Sequence, residues 1–239
     1  MLKAVLFDLD NTLQDLDTAF QEGLAQAAGP LCRQFSVSLE GLAEALNRTW
    51  PPLWQEFMAG TRSESALYPE WFRRALGDLG LTLSGAARQD LVQRYTASFE
   101  RHLALFPDVL PTLSQLAGWR PPPQLAILTN GPGARQRQRI HALGLDAHIK
   151  TYVISEEVGA GKPEPAFFHH ALRQLDVAPQ DAVMIGDTYD ADIQGALGVG
   201  MRAVWLNRSG TAWPGKDAAV AVVRDLTQAL PLLADWGLS

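Results

Sequence analysis

A short apolar run, Ala4-Val5-Leu6-Phe7, ends in two acids one residue apart, Asp8 and Asp10, and this junction constrains the fold more than any other stretch. The run reads as a buried strand. An ionised carboxylate at the end of such a strand is costly unless a cation, a shared proton or both neutralise it. The plain alternative is a strand end followed by a turn, where Asp and Asn are common. The rest of the chain decides between the two.

After Leu13 the texture changes. Residues 15–102 hold no convincing strand, and Leu, Ala, Trp and Phe recur at helical spacing among Gln, Glu and Arg. Ser38 and Ser63 read as N-caps, and Gly60, Gly77, Gly80 and Pro51-Pro52 as breaks, which gives four or five helices. Strands at 124–129, 150–155, 181–185, 202–206 and 219–223 then alternate with helices at 134–143, 165–175, 191–197 and 226–236. Pro121-Pro122-Pro123 reads as a stiff connector. Such alternation implies right-handed crossovers and a mostly parallel sheet covered on both faces. The expectation is an α/β fold: a doubly wound, Rossmann-like core of residues 1–14 and 105–239, with an all-helical domain, 15–104, inserted after the first strand. Ligands bind at the carboxyl edge of such sheets, so the insert is placed to act as a lid, with hinges near 13–15 and 106–107.

The bulk properties narrow the function classes. The chain has 239 residues, 47% hydrophobic and 19% charged, with a net charge of −6. No basic block marks a nucleic-acid surface. No apolar run approaches the roughly 20 residues of a membrane helix, and Asp8 breaks the first apolar run before a signal-peptide core forms. Cys32 is the single cysteine, so no internal disulfide forms. These features suit a cytoplasmic protein.

Three further stretches carry chemistry. Thr129-Asn130-Gly131 follows an apolar strand, and its hydroxyl and amides suit an anion, although the same triplet is a common turn. Lys162 lies between glycines and a proline just before a helix start; it is either a solvated loop lysine or a fixed charge beside a phosphate or carboxylates. Val183-Met184-Ile185-Gly186 ends in Asp187, with Asp190 and Asp192 following, one of them expected to be only a cap. Successive strand ends of one parallel sheet converge on one edge. Oxygen ligands without a His or Cys cluster favour Mg²⁺ over zinc.

In that order and spacing, Asp8-x-Asp10-x-Thr12, Thr129, Lys162 and Gly186-Asp187-x-x-x-x-Asp192 resemble the haloacid dehalogenase-like hydrolase superfamily, in the branch with a helical cap after the first strand. The run Asp192-Ile193-Gln194-Gly195-Ala196 looks like that family too, and the resemblance covers nearly the whole chain. It implies a Mg²⁺-dependent phosphatase acting on a small phosphorylated metabolite, of the sugar phosphate or nucleoside monophosphate type. Asp8 is then the nucleophile and Asp10 the general acid and base. Asp8, the Asp10 main chain and Asp187 hold the metal, with Asp192 behind them. Thr129, Asn130 and Lys162 bind the phosphoryl group. Asp10 argues against the dehalogenases that name the family, which lack the second acid. Gly60-Thr61-Arg62, followed by an acid, resembles the nucleotidase and N-acylneuraminate-9-phosphatase branch. A phosphoglucomutase-like mutase and a non-catalytic binding protein of the same fold stay open. A phosphate-storing receiver is shorter and lacks a cap.

Overall fold

Every side chain of β1 (Ala4–Phe7) is buried, which requires cover on both faces of the strand. In the computed structural model, which describes residues 2–212 and 220–237, five parallel neighbours complete a sheet in the order β3-β2-β1-β4-β5-β6. They are β2 (Gln124–Thr129), β3 (Thr151–Ile154), β4 (Ala182–Gly186), β5 (Arg202–Leu206) and β6 (Ala221–Val223). Alternation sorts the side chains. Val5, Phe7, Ile127, Val183, Ile185 and Val204 point to one core; Ala4, Leu6, Ala126, Leu128, Met184 and Trp205 point to the other.

Helices close both faces. α5 (Val109–Gly118), α6 (Gly133–Ala142) and α10 (Ala229–Asp235) pack on the first core. α8 (Pro165–Leu175) and α9 (Gly195–Gly198) pack on the second, and a single turn, α7 (Ser155–Val158), follows β3. This is the doubly wound α/β sheet expected from the alternation. The register pairs Phe7 with both Ile127 and Ile185, so β1, β2 and β4 end within two residues of one another. The residues at these three ends, Asp8, Thr129-Asn130 and Asp187, therefore reach the same edge.

The chain divides into two compact units, 1–15 with 105–239 and 16–104. The second is α1 (Leu16–Phe35), α2 (Leu39–Met58), α3 (Glu64–Asp78) and α4 (Gly85–His102), with α1 along α4 and α2 against α3. Leu24, Leu46, Leu53, Phe72 and Tyr95 fill its centre. Trp71 donates from Nε1 to the Leu46 carbonyl, 2.7 Å, and its ring tilts against Trp50 at 4.7 Å. Arg62 and Arg74 pair with Glu56, and Arg73 and Arg74 with Glu70.

Several expected boundaries move. Pro51-Pro52 does not break the chain but lies inside α2. Both prolines are exposed, and the carbonyls deprived of an N–H, four residues earlier, belong to exposed Asn47 and Arg48, where water can serve them. Gly77 likewise lies within the last turn of α3. The helix expected at 191–197 is a wide turn of π-helical pitch, Tyr189–Gln194, running into α9. α5 is an addition to the expected elements. The strand expected from Ala219 begins outside the described residues and is β6 from Ala221. Among the described residues no helix is long and apolar enough to cross a membrane.

Candidate active site

Lys162 is the centre of the edge. It is only 7% exposed, so the reading of a solvated loop lysine does not hold. Its Nζ donates to Asp8 Oδ1 and, at 2.7 Å, to Asp192 Oδ1. Asn130 fixes the lysine's main chain, donating from Nδ2 to the Lys162 carbonyl at 2.9 Å and accepting the Lys162 N–H on Oδ1 at 2.8 Å. The Asn130 side chain is thus spent on holding the lysine loop.

Asp192 is fully buried and satisfied on both oxygens: Lys162 takes Oδ1, and the Thr188 N–H donates to Oδ2 at 3.0 Å. Gly186 makes room for it. A Cβ on Gly186 would lie 2.3 Å from Asp192 Oδ2. Asp190, by contrast, is exposed on the same turn. Asp187 has its carbonyl held by Trp205 Nε1 at 2.8 Å and its carboxylate touched by Thr188 Oγ1 at 3.3 Å.

Among the described residues, Asp8, Asp187 and Asp192 bring carboxylate oxygens within 4.8 Å of one another. One ammonium cannot balance three such charges. Burial, with Asp192 adding to it, pushes Asp187 up to about 7. Burial also raises Asp8 well above the carboxylate range against the pull of Lys162. Burial opposes the Lys162 charge, but Asp192 and Asp8 outweigh it and hold the ammonium above its ordinary range. Hard oxygen donors with an uncompensated negative charge fit a divalent cation of the Mg²⁺ type.

Asp10 lies outside this carboxylate group. The turn after β1 closes with Asn11 N–H to the Gln14 carbonyl, 2.8 Å, and Asn11 takes a positive φ of 57°. Gln14 Nε2 donates to Asp10 Oδ1, and Gln136 Nε2 reaches Asp10 Oδ2 at 3.3 Å. Gln136 Nε2 also donates to Thr129 Oγ1 at 2.8 Å. Arg139 Nη1 stands 4.0 Å from Asp10 Oδ1. Gly131, with φ 149°, turns the chain where a Cβ would press on Gln136 at 3.1 Å. Gln14, Gln136 and Arg139 are not among the residues that the sequence singles out. One signal for two of them is present: Gln136, Arg139 and Ile140 share the inward face of α6, so two polar side chains stand where a helix buries apolar ones.

Comparison with known proteins bears on the family and the fold. Residues 2–200 match the family model described as haloacid dehalogenase-like hydrolase. A phosphoserine phosphatase of Thermus thermophilus is 34% identical, over 87% of this chain and 89% of its own. The human N-acylneuraminate-9-phosphatase is 32% identical, over 87% and 84%. Among solved structures, the putative HAD-hydrolase YfnB of Bacillus subtilis, bound to magnesium, superposes with a TM-score of 0.73 at 25% identity, covering 97% and 98% of the two chains. A 2-haloacid dehalogenase of Pseudomonas syringae superposes with a TM-score of 0.68 at 33% identity, covering 99% and 100%.

Proposed function

The chain belongs to the haloacid dehalogenase-like hydrolases, and from that membership we propose that it is a Mg²⁺-dependent phosphomonoesterase working through an aspartyl-phosphate on Asp8. The observation that carries the reading is the separation of two acids of one loop. Asp8 sits with Lys162 and the other carboxylates, while Asp10 is held apart by two glutamine amides. Two-step hydrolysis needs such a division: one carboxylate to form a bond, another free to move a proton.

In the first step an Asp8 oxygen attacks phosphorus, the bond to the leaving oxygen breaks, and that oxygen takes the Asp10 proton. In the second, water attacks the same phosphorus, Asp10 takes the water's proton, and Asp8 is released with inorganic phosphate. Lys162 stands beside Asp8 to offset repulsion between carboxylate and phosphate. The Thr129 hydroxyl and the Asn130 N–H are donors for phosphoryl oxygens, where charge spreads in the transition state. Asp8, Asp187 and the Asp10 carbonyl would hold Mg²⁺, which when bound neutralises the phosphate facing the nucleophile. Asp192, already satisfied, positions Lys162.

The substrate is a small phosphorylated metabolite. The two phosphatase relatives bear the names of phosphoserine and N-acylneuraminate 9-phosphate, both esters of primary alcohols. Such alkoxides leave poorly without a proton, which is the task given to Asp10. A haloacid needs no leaving-group proton, so Asp10 weighs against dehalogenation despite the neighbour of that activity.

The test is phosphate release from a panel of phosphoserine, sugar phosphates and nucleoside monophosphates, with Mg²⁺ and with EDTA. Wild type is expected to release phosphate only with the metal, and Asp8→Asn to release none. Turnover by Asp8→Asn would falsify the assignment of the nucleophile. Isomerisation of a bisphosphorylated sugar without release would replace hydrolysis by mutase chemistry.

A further inference from the structure

We propose that Gln14 and Gln136 are positioning residues for the acid–base step, clamping the Asp10 carboxylate from both oxygens and coupling it to the phosphate-binding hydroxyl of Thr129. The inference rests on the phosphatase reading above and deepens it.

The two amides come from separate parts of the chain and meet on one side chain. Gln14 Nε2 donates to Asp10 Oδ1 from the turn that follows β1. Gln136 Nε2 reaches Asp10 Oδ2 from the first turn of α6. With one amide on each oxygen, rotation of the carboxylate about its terminal bond breaks both contacts. The plane of the group is therefore set by the protein before a substrate arrives.

Gln136 does more than hold Asp10. Its amide nitrogen also donates to Thr129 Oγ1 at 2.8 Å and approaches the Asn130 carbonyl at 3.3 Å. A hydroxyl that accepts there keeps its own hydrogen for another partner. Within the described residues that hydrogen has only a 3.5 Å approach to the Asn130 carbonyl. The same amide thus aims Thr129 as a donor and Asp10 as a proton carrier, so the phosphoryl group and the leaving oxygen are registered against one rigid group.

The cost of these residues supports a functional reason for them. Gln14 is fully buried and Gln136 is 2% exposed, and the Oε1 of each meets no hydrogen-bond partner among the described residues. A buried acceptor left unpaired is unfavourable, and an apolar side chain of the same shape would avoid the penalty. Gly131 is also shaped around Gln136, because a Cβ there would come within 3.1 Å of its amide nitrogen. Stability alone does not explain amides at these two positions. Two N–H groups delivered to one carboxylate do.

The experiment compares Gln136→Met with wild type on two aryl esters of matched shape, p-nitrophenyl phosphate and phenyl phosphate. The first leaves as a stable phenolate; the second needs the proton. The readout is kcat/KM, which covers the steps through departure of the leaving group. General acid catalysis contributes about 10²–10⁴-fold. Both esters are expected to react more slowly in the variant, with the ratio of p-nitrophenyl to phenyl kcat/KM rising by at least ~10-fold. An unchanged ratio, whether both rates fall alike or neither falls, overturns the inference and leaves the phosphatase reading standing. Release from neither ester by wild type overturns that reading, and the inference with it. If Gln136→Met does not fold, Gln14→Met on the same pair of esters decides, with the same expected rise and the same refuting result.

Discussion

Gly186→Ala tests the packing that holds Asp192, and its size can be worked from distances. The new methyl would lie 2.3 Å from Asp192 Oδ2, 2.4 Å from Cγ and 2.6 Å from Cβ. Turning the carboxylate about its side-chain bonds does not help, because the Cβ itself clashes. Ordinary contact begins at 3.4 Å, so main chain must move by about 0.8 Å, either at the end of β4 or in the turn Tyr189–Gln194. Overpacking of this kind costs about 1–3 kcal/mol. The same movement stretches the 2.7 Å contact between Lys162 Nζ and Asp192 and the 3.0 Å contact from Thr188 N–H. Weakening hydrogen bonds to a charged group adds about 1.5–3 kcal/mol. A total of roughly 2.5–6 kcal/mol in a chain of this size lowers Tm by about 5–24 °C. Thermal unfolding followed by circular dichroism measures it, with phosphate release assayed alongside and expected to fall by at least ~10-fold as Lys162 loses its anchor. A Tm within about 2 °C of wild type would mean that the turn yields without strain, and that Gly186 is not what admits the acid.

Two more predictions concern the helical unit. Arg73, followed by Arg74, holds the Glu70 carboxyl down at about 2, below its usual 4.5. A depressed acid adds stability above its unfolded pKa and loses it as pH falls toward the folded one. Because solvent screens the cluster, Glu70→Gln should cost no more than about 1 kcal/mol at pH 7 by urea unfolding, with the gap at pH 3 less than half as large; an equal gap at both pH values would contradict the pairing. Trp71→Phe removes the 2.7 Å donor to the Leu46 carbonyl, but Thr49 Oγ1 still approaches that oxygen at 3.2 Å. The expected loss is about 1–2 kcal/mol, and one above about 4 would show that the ring, not its N–H, carries the contact.

Those parts of the fold that depend on local pattern are legible in the sequence. Parallel strands buried on both faces are continuous apolar runs, so β1, β2 and β4 stand out, and the residue that ends each run is readable with them. Pro51-Pro52 misleads because a proline pair is read as a break, whereas here it falls on the exposed side of α2. α5 is hidden by Pro107 and Pro111, which give its stretch the look of a loop although Val109, Leu113 and Leu116 bury a helical stripe. Charged groups of the edge announce themselves because a lone acid after an apolar run has no cheap explanation. Glutamine does not. Gln14 and Gln136 are ordinary residues until the fold carries α6 back to the turn after β1, across a sequence separation of 126 residues between Gln136 and Asp10.

The two crossings between the units lie side by side. Gln14 pairs with Leu105 as an antiparallel bridge, and the Phe106 N–H donates to the Leu13 carbonyl at 3.1 Å. Arg208 fastens the base of this ladder, donating to the Thr12 carbonyl at 2.9 Å and to Asp108 at 3.1 Å. Four helices therefore leave and re-enter the sheet unit through what amounts to the mouth of a hairpin. That geometry brings the two ends of the helical unit together, so excising it would join residues that already touch. A short turn linking Gln14 to Leu105 would close the gap at little entropic cost.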